Sequence, residues 1–124
     1  MYELAGKISD SELEVMRVLW KARDALPVTE IRRRLQPLHG WEGTTIKTMI
    51  TRLTAKGALL QEKRDVFYYS AAISEDDYNR CATESLIRKL YQGSAHKLVA
   101  ALVKDRGLSE EDMAELRALF KVEE

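Results

Sequence analysis

Between Thr44 and Gly57, four apolar residues, Ile46, Met49, Ile50 and Leu53, fall at i, i+3, i+4 and i+7. A stripe with that spacing is buried on one side only if the segment is an amphipathic helix. No other stretch limits the fold as tightly. The opposite face of a helix running roughly from Thr44 to Lys56 holds Thr44, Lys47, Thr48, Thr51, Arg52 and Ala55, and no acidic residue. Gly57 stands where a left-handed residue closes such a helix.

The flanking segments give this helix its setting. Ser9-Asp10-Ser11-Glu12 has the spacing of a capping box, and Leu13, Met16, Leu19 and Trp20 follow at helical intervals, so a first helix is predicted to stop before Leu26-Pro27. After one extended residue at Val28, a short second helix is expected with Thr29 as N-cap, Ile31 and Leu35 on its core side, and Arg32, Arg33 and Arg34 around the remainder. Pro37 is expected to end it. Downstream, Leu59–Glu62 and Val66–Ser70 flank Lys63-Arg64-Asp65; the Val, Phe and two Tyr of the second run favour strand, giving a hairpin with a basic tip. Three helices closed by a two-stranded hairpin make a winged helix-turn-helix, so the fold class is mainly α with a small β-hairpin.

Beyond Ile73 the pattern is helical to the end. Ser74-Glu75-Asp76-Asp77 opens a helix with Tyr78, Ala82, Leu86 and Leu90 along it, and Gly93 breaks it. Ser94 caps a second helix with Leu98, Leu102 and Val103, and Gly107 breaks that one. Ser109-Glu110-Glu111-Asp112 caps a third with Met113, Leu116, Leu119 and Phe120. About fifty residues in three amphipathic helices are too few to bury their own apolar faces. The simplest cover is a second copy in a two-fold arrangement. The expected organisation is a winged-helix domain over 1–73 and a helical dimerisation domain over 74–124. Leu86, Leu90, Leu98, Leu102, Leu116 and Phe120 are then expected at or near the two-fold interface.

Composition narrows the function. An apolar share of 45% and a charged share of 32% in 124 residues fit one folded, soluble unit. No run of about 18 apolar residues is present, and Met1-Tyr2-Glu3-Leu4 does not begin a signal peptide, so a cytoplasmic protein without membrane insertion is expected. Cys81 is the only cysteine, which excludes an internal disulfide and a Cys-rich zinc site; it is either a small buried side chain or a redox-sensing thiol. The net charge is zero, but residues 28–64 hold 8 Lys and Arg against 3 Asp and Glu, while 74–124 hold 8 against 11. That asymmetry is either ordinary scatter or the footprint of a nucleic acid on one side.

Cations and hydroxyls are the groups that hydrogen-bond phosphates and base edges, and a major groove admits one helix. Lys47 and Arg52 can reach a phosphate or a guanine edge; Thr44, Thr48 and Thr51 can donate to phosphate or pack a methyl on thymine. A merely solvated face is the alternative, and the short helix before it and the basic hairpin after it weigh against that. Lys63 and Arg64 are open to contact with the flanking minor groove or backbone, or to a solubilising turn. Trp41 is open to packing on the core or lying against the sugar-phosphate backbone. Enzyme chemistry, metal and cofactor find no support: His39 and His96 are isolated from Cys81 and from paired carboxylates, and no phosphate-cradling glycine loop is present.

Ile8-Ser9, Glu12-Leu13-Glu14-Val15-Met16, Leu19-Trp20, Thr29-Glu30-Ile31, Trp41, Thr45-Ile46-Lys47-Thr48, Arg52-Leu53 and Lys56-Gly57 together resemble the BlaI/MecI family of penicillinase repressors. Tyr68-Tyr69, Ser74-Glu75-Asp76-Asp77-Tyr78, Gly93-Ser94, Leu98-Val99 and Leu108-Ser109-Glu110-Glu111-Asp112 extend the match over nearly the whole chain. The resemblance implies a homodimeric repressor on inverted-repeat operator DNA with TACA/TGTA half-sites, controlling β-lactam resistance genes, and adds Thr45 to the DNA-binding residues. It also implies induction by a membrane sensor-protease system whose signal leads to cleavage in the dimerisation helices. Two positions depart from the pattern: Arg64-Asp65 stands where many members have a Gly-Arg pair in the wing, and Ala101-Leu102 stands where well-known members have an Asn-Phe cleavage bond. The terminal Cys-x-Cys cluster of copper-responsive relatives is absent. Rival readings are a ligand- or metal-responsive regulator of other genes, and a winged helix used for protein–protein interaction.

Overall fold

The computed structural model describes residues 7–122, without the side chains of Arg106, Phe120, Lys121 and Val122. The first helix, α1 (Asp10–Lys21), starts on the expected capping box: the Ser9 hydroxyl accepts from the Glu12 amide at 3.1 Å, and the Glu12 carboxylate accepts from the Ser9 amide at 3.0 Å. Two of the amides that a helix start leaves open are thereby satisfied. The helix buries Val15, Met16 and Leu19.

A two-residue strand, β1 (Leu26–Pro27), comes next, where only one extended residue was expected, at Val28. Two residues show no alternation, so no pattern announced it, and proline is tolerated there as a strand too short to need a full ladder. The second helix, α2 (Val28–His39), departs from expectation at both ends. Pro27, not Thr29, is its N-cap, and Pro37 lies inside its last turn. Proline has a helical φ and forfeits only one hydrogen bond, in a turn already close to the open carbonyls of the helix end. The stop is Gly40, whose φ of 68° turns the chain left-handed while its amide reaches the Gln36 carbonyl at 2.8 Å.

The third helix, α3 (Gly43–Ala55), carries the stripe that the spacing predicts: Ile46, Met49, Ile50 and Leu53 are all buried. Gly57 follows with φ 83°. Strands β2 (Leu59–Lys63) and β3 (Phe67–Ala71) pair antiparallel from Leu59↔Ala71 to Lys63↔Phe67. β1 pairs with β3 at Leu26↔Tyr69 and Pro27↔Tyr68, so the hairpin is extended to a three-stranded sheet of order β1-β3-β2.

Val15, Met16, Ile31, Leu35, Ile46, Ile50 and Leu53 form the buried centre where α1, α2 and α3 meet. Tyr78 and Cys81, from the first half of α4 (Glu75–Tyr91), belong to the same core. The Trp20 indole donates to the Ile73 carbonyl at 2.9 Å, and its ring lies 5.6 Å from that of Tyr78. The first compact unit accordingly runs on through Ser85, past the 73/74 division drawn from sequence.

From Leu86 a second unit comprises the end of α4, then α5 (Ala95–Arg106) and α6 (Glu110–Val122). Ser94 and Ser109 cap α5 and α6 through their hydroxyls, which accept from the Lys97 and Asp112 amides. Leu86, Leu90, Val99, Leu102, Val103 and Leu119 are 39–62% exposed, and Leu98 and Leu116 are half-buried. Phe120, expected beside them, has a side chain outside the described residues. Among the described residues no helix is long and apolar enough to cross a membrane.

Candidate nucleic-acid interface

The core fixes α3 from behind. Its stripe is seated against α1 and α2, and its foot is tied down by Lys56, which donates to the Glu12 carboxylate at 2.5 Å and to the Lys7 carbonyl at 2.6 Å. At its head, Trp41 is half-buried against the core, stacked on His39 with centroids 4.2 Å apart, and its carbonyl accepts from Gln36 Nε2 at 3.2 Å. Of the two roles open to Trp41, this geometry supports packing.

The front of α3 is exposed throughout: Thr44, Thr45, Lys47, Thr48, Thr51, Arg52 and Ala55 all face solvent. Thr44, Lys47, Thr48, Thr51 and Arg52 line one shallow concavity along the helix. The hydroxyls differ in what they can offer. Thr48 Oγ1 donates to the Thr44 carbonyl at 2.9 Å and Thr51 Oγ1 to the Lys47 carbonyl at 3.0 Å. With their protons turned inward, Thr48 and Thr51 present a methyl group and acceptor lone pairs rather than a donor. Among the described residues Thr44 and Thr45 have no side-chain hydrogen-bond partner, so their hydroxyl protons are open to donation.

The cations sort in the same way. Among the described residues Lys47 and Arg52 have no ion-pair partner, and both are exposed. Arg33 and Arg34 are both held by Glu30, whose carboxyl is lowered to about 2 chiefly by their hydrogen bonds. Arg17 is held by Glu14.

At the wing, Arg64 is hydrogen-bonded to Glu62 and its guanidinium lies 4.5 Å from the centre of the Tyr68 ring. Lys63 Nζ lies 5.8 Å from the Phe67 ring centre and has no acidic partner among the described residues. Of the two basic residues at the tip, Lys63 is therefore the readier to meet an external anion.

One residue was not singled out from sequence. Arg32, the first of three consecutive arginines, places its guanidinium over Gly43 at the head of α3, beside Thr44 and Lys47. Its neighbours in sequence gave no sign of this, because the approach is made across two helices; the small residue at Gly43 was the one available signal.

The remaining singled-out groups lie elsewhere. Cys81 is buried in α4, and burial, then Glu84 and Asp77, push its thiol pKa up, the opposite of what a reactive thiolate needs. Ala101 and Leu102 lie within α5, half-buried and exposed respectively. Among the described residues no three His, Cys, Asp or Glu side chains gather as a metal site would require.

Residues 8–122 match the model of a family described as penicillinase repressor. The chain is similar to the penicillinase repressor of Bacillus licheniformis, with 37% identity over 116 residues, covering 93% of this chain and 90% of the relative. It is also similar to the methicillin resistance regulatory protein MecI of Staphylococcus aureus, with 33% identity over 115 residues, covering 92% and 93%. Among solved structures, it is similar to the solution structure of the DNA-binding domain of the repressor BlaI, at 44% identity and a TM-score of 0.53, over 58% of this chain and 88% of that one. A second similar structure is the monomeric form of Bacillus licheniformis BlaI in complex with the blaP half-operator, at 44% identity and a TM-score of 0.51, over 57% and 87%.

Proposed function

The chain belongs to the penicillinase repressor family, a DNA-binding repressor and not an enzyme, and from that premise we propose that it acts as a homodimer on inverted-repeat operators. The half-sites are of the TACA/TGTA kind, the regulated genes confer β-lactam resistance, and proteolysis after a signal from a membrane sensor-protease relieves repression.

The observation that carries this reading is the front of α3: two unpaired cations and a row of hydroxyls on a helix fixed from behind, with no acidic side chain among them. Arg52 and the threonine hydroxyls and methyls are suited to base edges while Lys47 holds a phosphate, and a helix in the major groove makes both kinds of contact. The BlaI complex pairs a monomer with a half-operator, which supports one winged-helix unit per half-site here as well. Dimerisation is supported by the apolar side chains that α4, α5 and α6 leave about half exposed in a single chain, the rest of each being worth about 1 kcal/mol when covered. Two linked half-site contacts then raise affinity without any new contact to DNA.

Selection of bound duplexes from a random pool with the full chain tests the proposal. Enrichment of an inverted repeat, and of promoters carrying it, is expected. Enrichment of isolated half-sites, or none at all, overturns it.

A further inference from the structure

Gly43 occupies the first position of α3, and its backbone is not left-handed, so φ does not require glycine there. Glycine within a helix costs up to about 1 kcal/mol relative to alanine. What its bareness allows is a close approach. A Cβ at this position would fall 2.6 Å from Arg32 Nη2 and 2.7 Å from Arg32 Nε, with Cζ nearer still. The guanidinium occupies the space that any other side chain would take.

The three consecutive arginines of α2 are not equivalent. Arg33 Nε donates to Glu30 Oε1 at 3.0 Å, and Arg34 Nε to Glu30 Oε2 at 3.0 Å. Among the described residues Arg32, alone of the three, makes neither a hydrogen bond nor an ion pair. It lines a notch with Val28, Glu42, Gly43, Thr44 and Lys47, which adds a second unpaired cation and an unengaged hydroxyl. Glu42 is the one acid there, and neither cation is within ion-pair distance of it. The notch opens at the head of α3, and with the front of that helix in a major groove the bordering phosphates would pass there.

We propose that Arg32 is a DNA-contacting residue whose guanidinium, admitted by Gly43, holds a backbone phosphate at the border of the half-site and so positions the head of α3. The inference rests on the DNA-binding reading above. A planar guanidinium matches two phosphate oxygens at once, and a phosphate contact sets register without reading sequence.

The test uses the full chain and two duplexes of equal length, one with an inverted TACA/TGTA repeat and one scrambled, titrated over a range of salt. Arg32→Gln is expected to weaken binding on both duplexes by the same factor, on the order of tenfold per chain. The slope of log K against log salt should fall by about 0.9 for each chain bound. Arg32→Lys should restore the slope and part of the affinity. Gly43→Ala displaces the guanidinium, so it should weaken DNA binding while leaving thermal stability at or above that of the parent, and combining it with Arg32→Gln should add no further loss. An unchanged salt slope in Arg32→Gln, or losses that add in the double variant, overturns the inference. Failure of the parent chain to prefer the repeat would instead count against the operator reading.

Discussion

Lys56 at the foot of α3 and Glu12 at the head of α1 are joined across 44 positions of sequence by a contact of 2.5 Å. The Glu12 side chain is 4% exposed and that of Lys56 28%, so the carboxylate is the buried partner and the ammonium its cover. The same carboxylate closes the capping box on the Ser9 amide. One side chain thus starts α1 and anchors the end of α3, the helix proposed to meet DNA. Burial raises the Glu12 pKa, but hydrogen bonds from Lys56 and Ser9 and the charge of Lys56 outweigh it and hold the carboxyl below its ordinary value of 4.5.

This linkage predicts an acid-labile component of stability. A carboxylate with a lowered folded-state pKa contributes fully above its unfolded value and loses that contribution as pH falls through the folded one. Glu12→Gln should therefore cost about 1–3 kcal/mol at neutral pH. It should also show a shallower loss of stability than the parent as pH falls below 4.5. Urea denaturation at neutral pH and at about pH 3 checks this. An acid dependence identical to that of the parent would show that the pair carries no pH-linked stability.

Base reading is predicted to reside at Thr48 and Arg52. Thr48→Ala removes an outward methyl and an acceptor while the inward hydrogen bond to Thr44 is lost from an exposed helix face. It should weaken operator binding by about 1–3 kcal/mol and affect scrambled DNA little, and Arg52→Ala should do the same. Lys47→Ala should weaken both duplexes alike and lower the salt slope by about 0.9 per chain. Anisotropy titrations at several salt concentrations separate the two patterns. Thr48→Ala and Arg52→Ala proteins that retain full preference for the operator would refute the assignment.

The helices were legible because periodicity reports burial directly: the Ile46, Met49, Ile50 and Leu53 stripe needs only local spacing to be recognised. The capping box of Ser9 and Glu12 is equally local. What escaped the sequence was decided by partners distant along the chain. Leu26 and Pro27 form a strand only because Tyr68 and Tyr69 pair with them. Pro37 looked like a terminator, yet the turn around it tolerates a missing amide, and Gly40 sets the end. The inward hydrogen bonds of Thr48 and Thr51 and the capture of Arg33 and Arg34 by Glu30 reduce what a composition of hydroxyls and cations suggests. Arg32 is the converse case, a residue whose value comes from being left unpaired.

The extent of the DNA-binding unit yields a third prediction. Tyr78 is 7% exposed and Cys81 4%, both within the core that α1, α2 and α3 build. A fragment ending at Ile73 loses them and should be less stable than one ending at Ser85 by about 3–5 kcal/mol, the usual cost of emptying a large aromatic site. Both fragments lack the apolar surface of α5 and α6 and should sediment as monomers that bind a half-site more weakly than the full chain binds the repeat. Equal stability of the two fragments would return the boundary to residue 73. Sedimentation of the full chain as a monomer at micromolar concentration would contradict the dimer.

The fourth prediction concerns release from DNA. Ala101 and Leu102 lie in the interior of α5, where each amide is committed to the helix and Leu102 is 42% exposed. A protease binds its substrate extended, so cutting there requires that α5 open locally, at a cost set by how firmly its apolar side chains are covered. A cut at this bond leaves Thr44, Lys47, Thr48 and Arg52 on a fragment that still recognises a half-site, and removes α6 from it. The fragment keeps its contacts but loses the gain from binding two half-sites together, and it leaves the operator. Ala-Leu differs from Asn-Phe in both polarity and ring content, so a protease that reads an Asn-Phe bond should leave this chain intact, and the cognate enzyme must accept two aliphatic side chains. Cells carrying the protein can be exposed to a β-lactam and the repressor followed by intact-mass spectrometry. A new species ending between Leu98 and Val103 is the expected result, accumulating in step with derepression. Full-length protein persisting after complete derepression would exclude cleavage as the route.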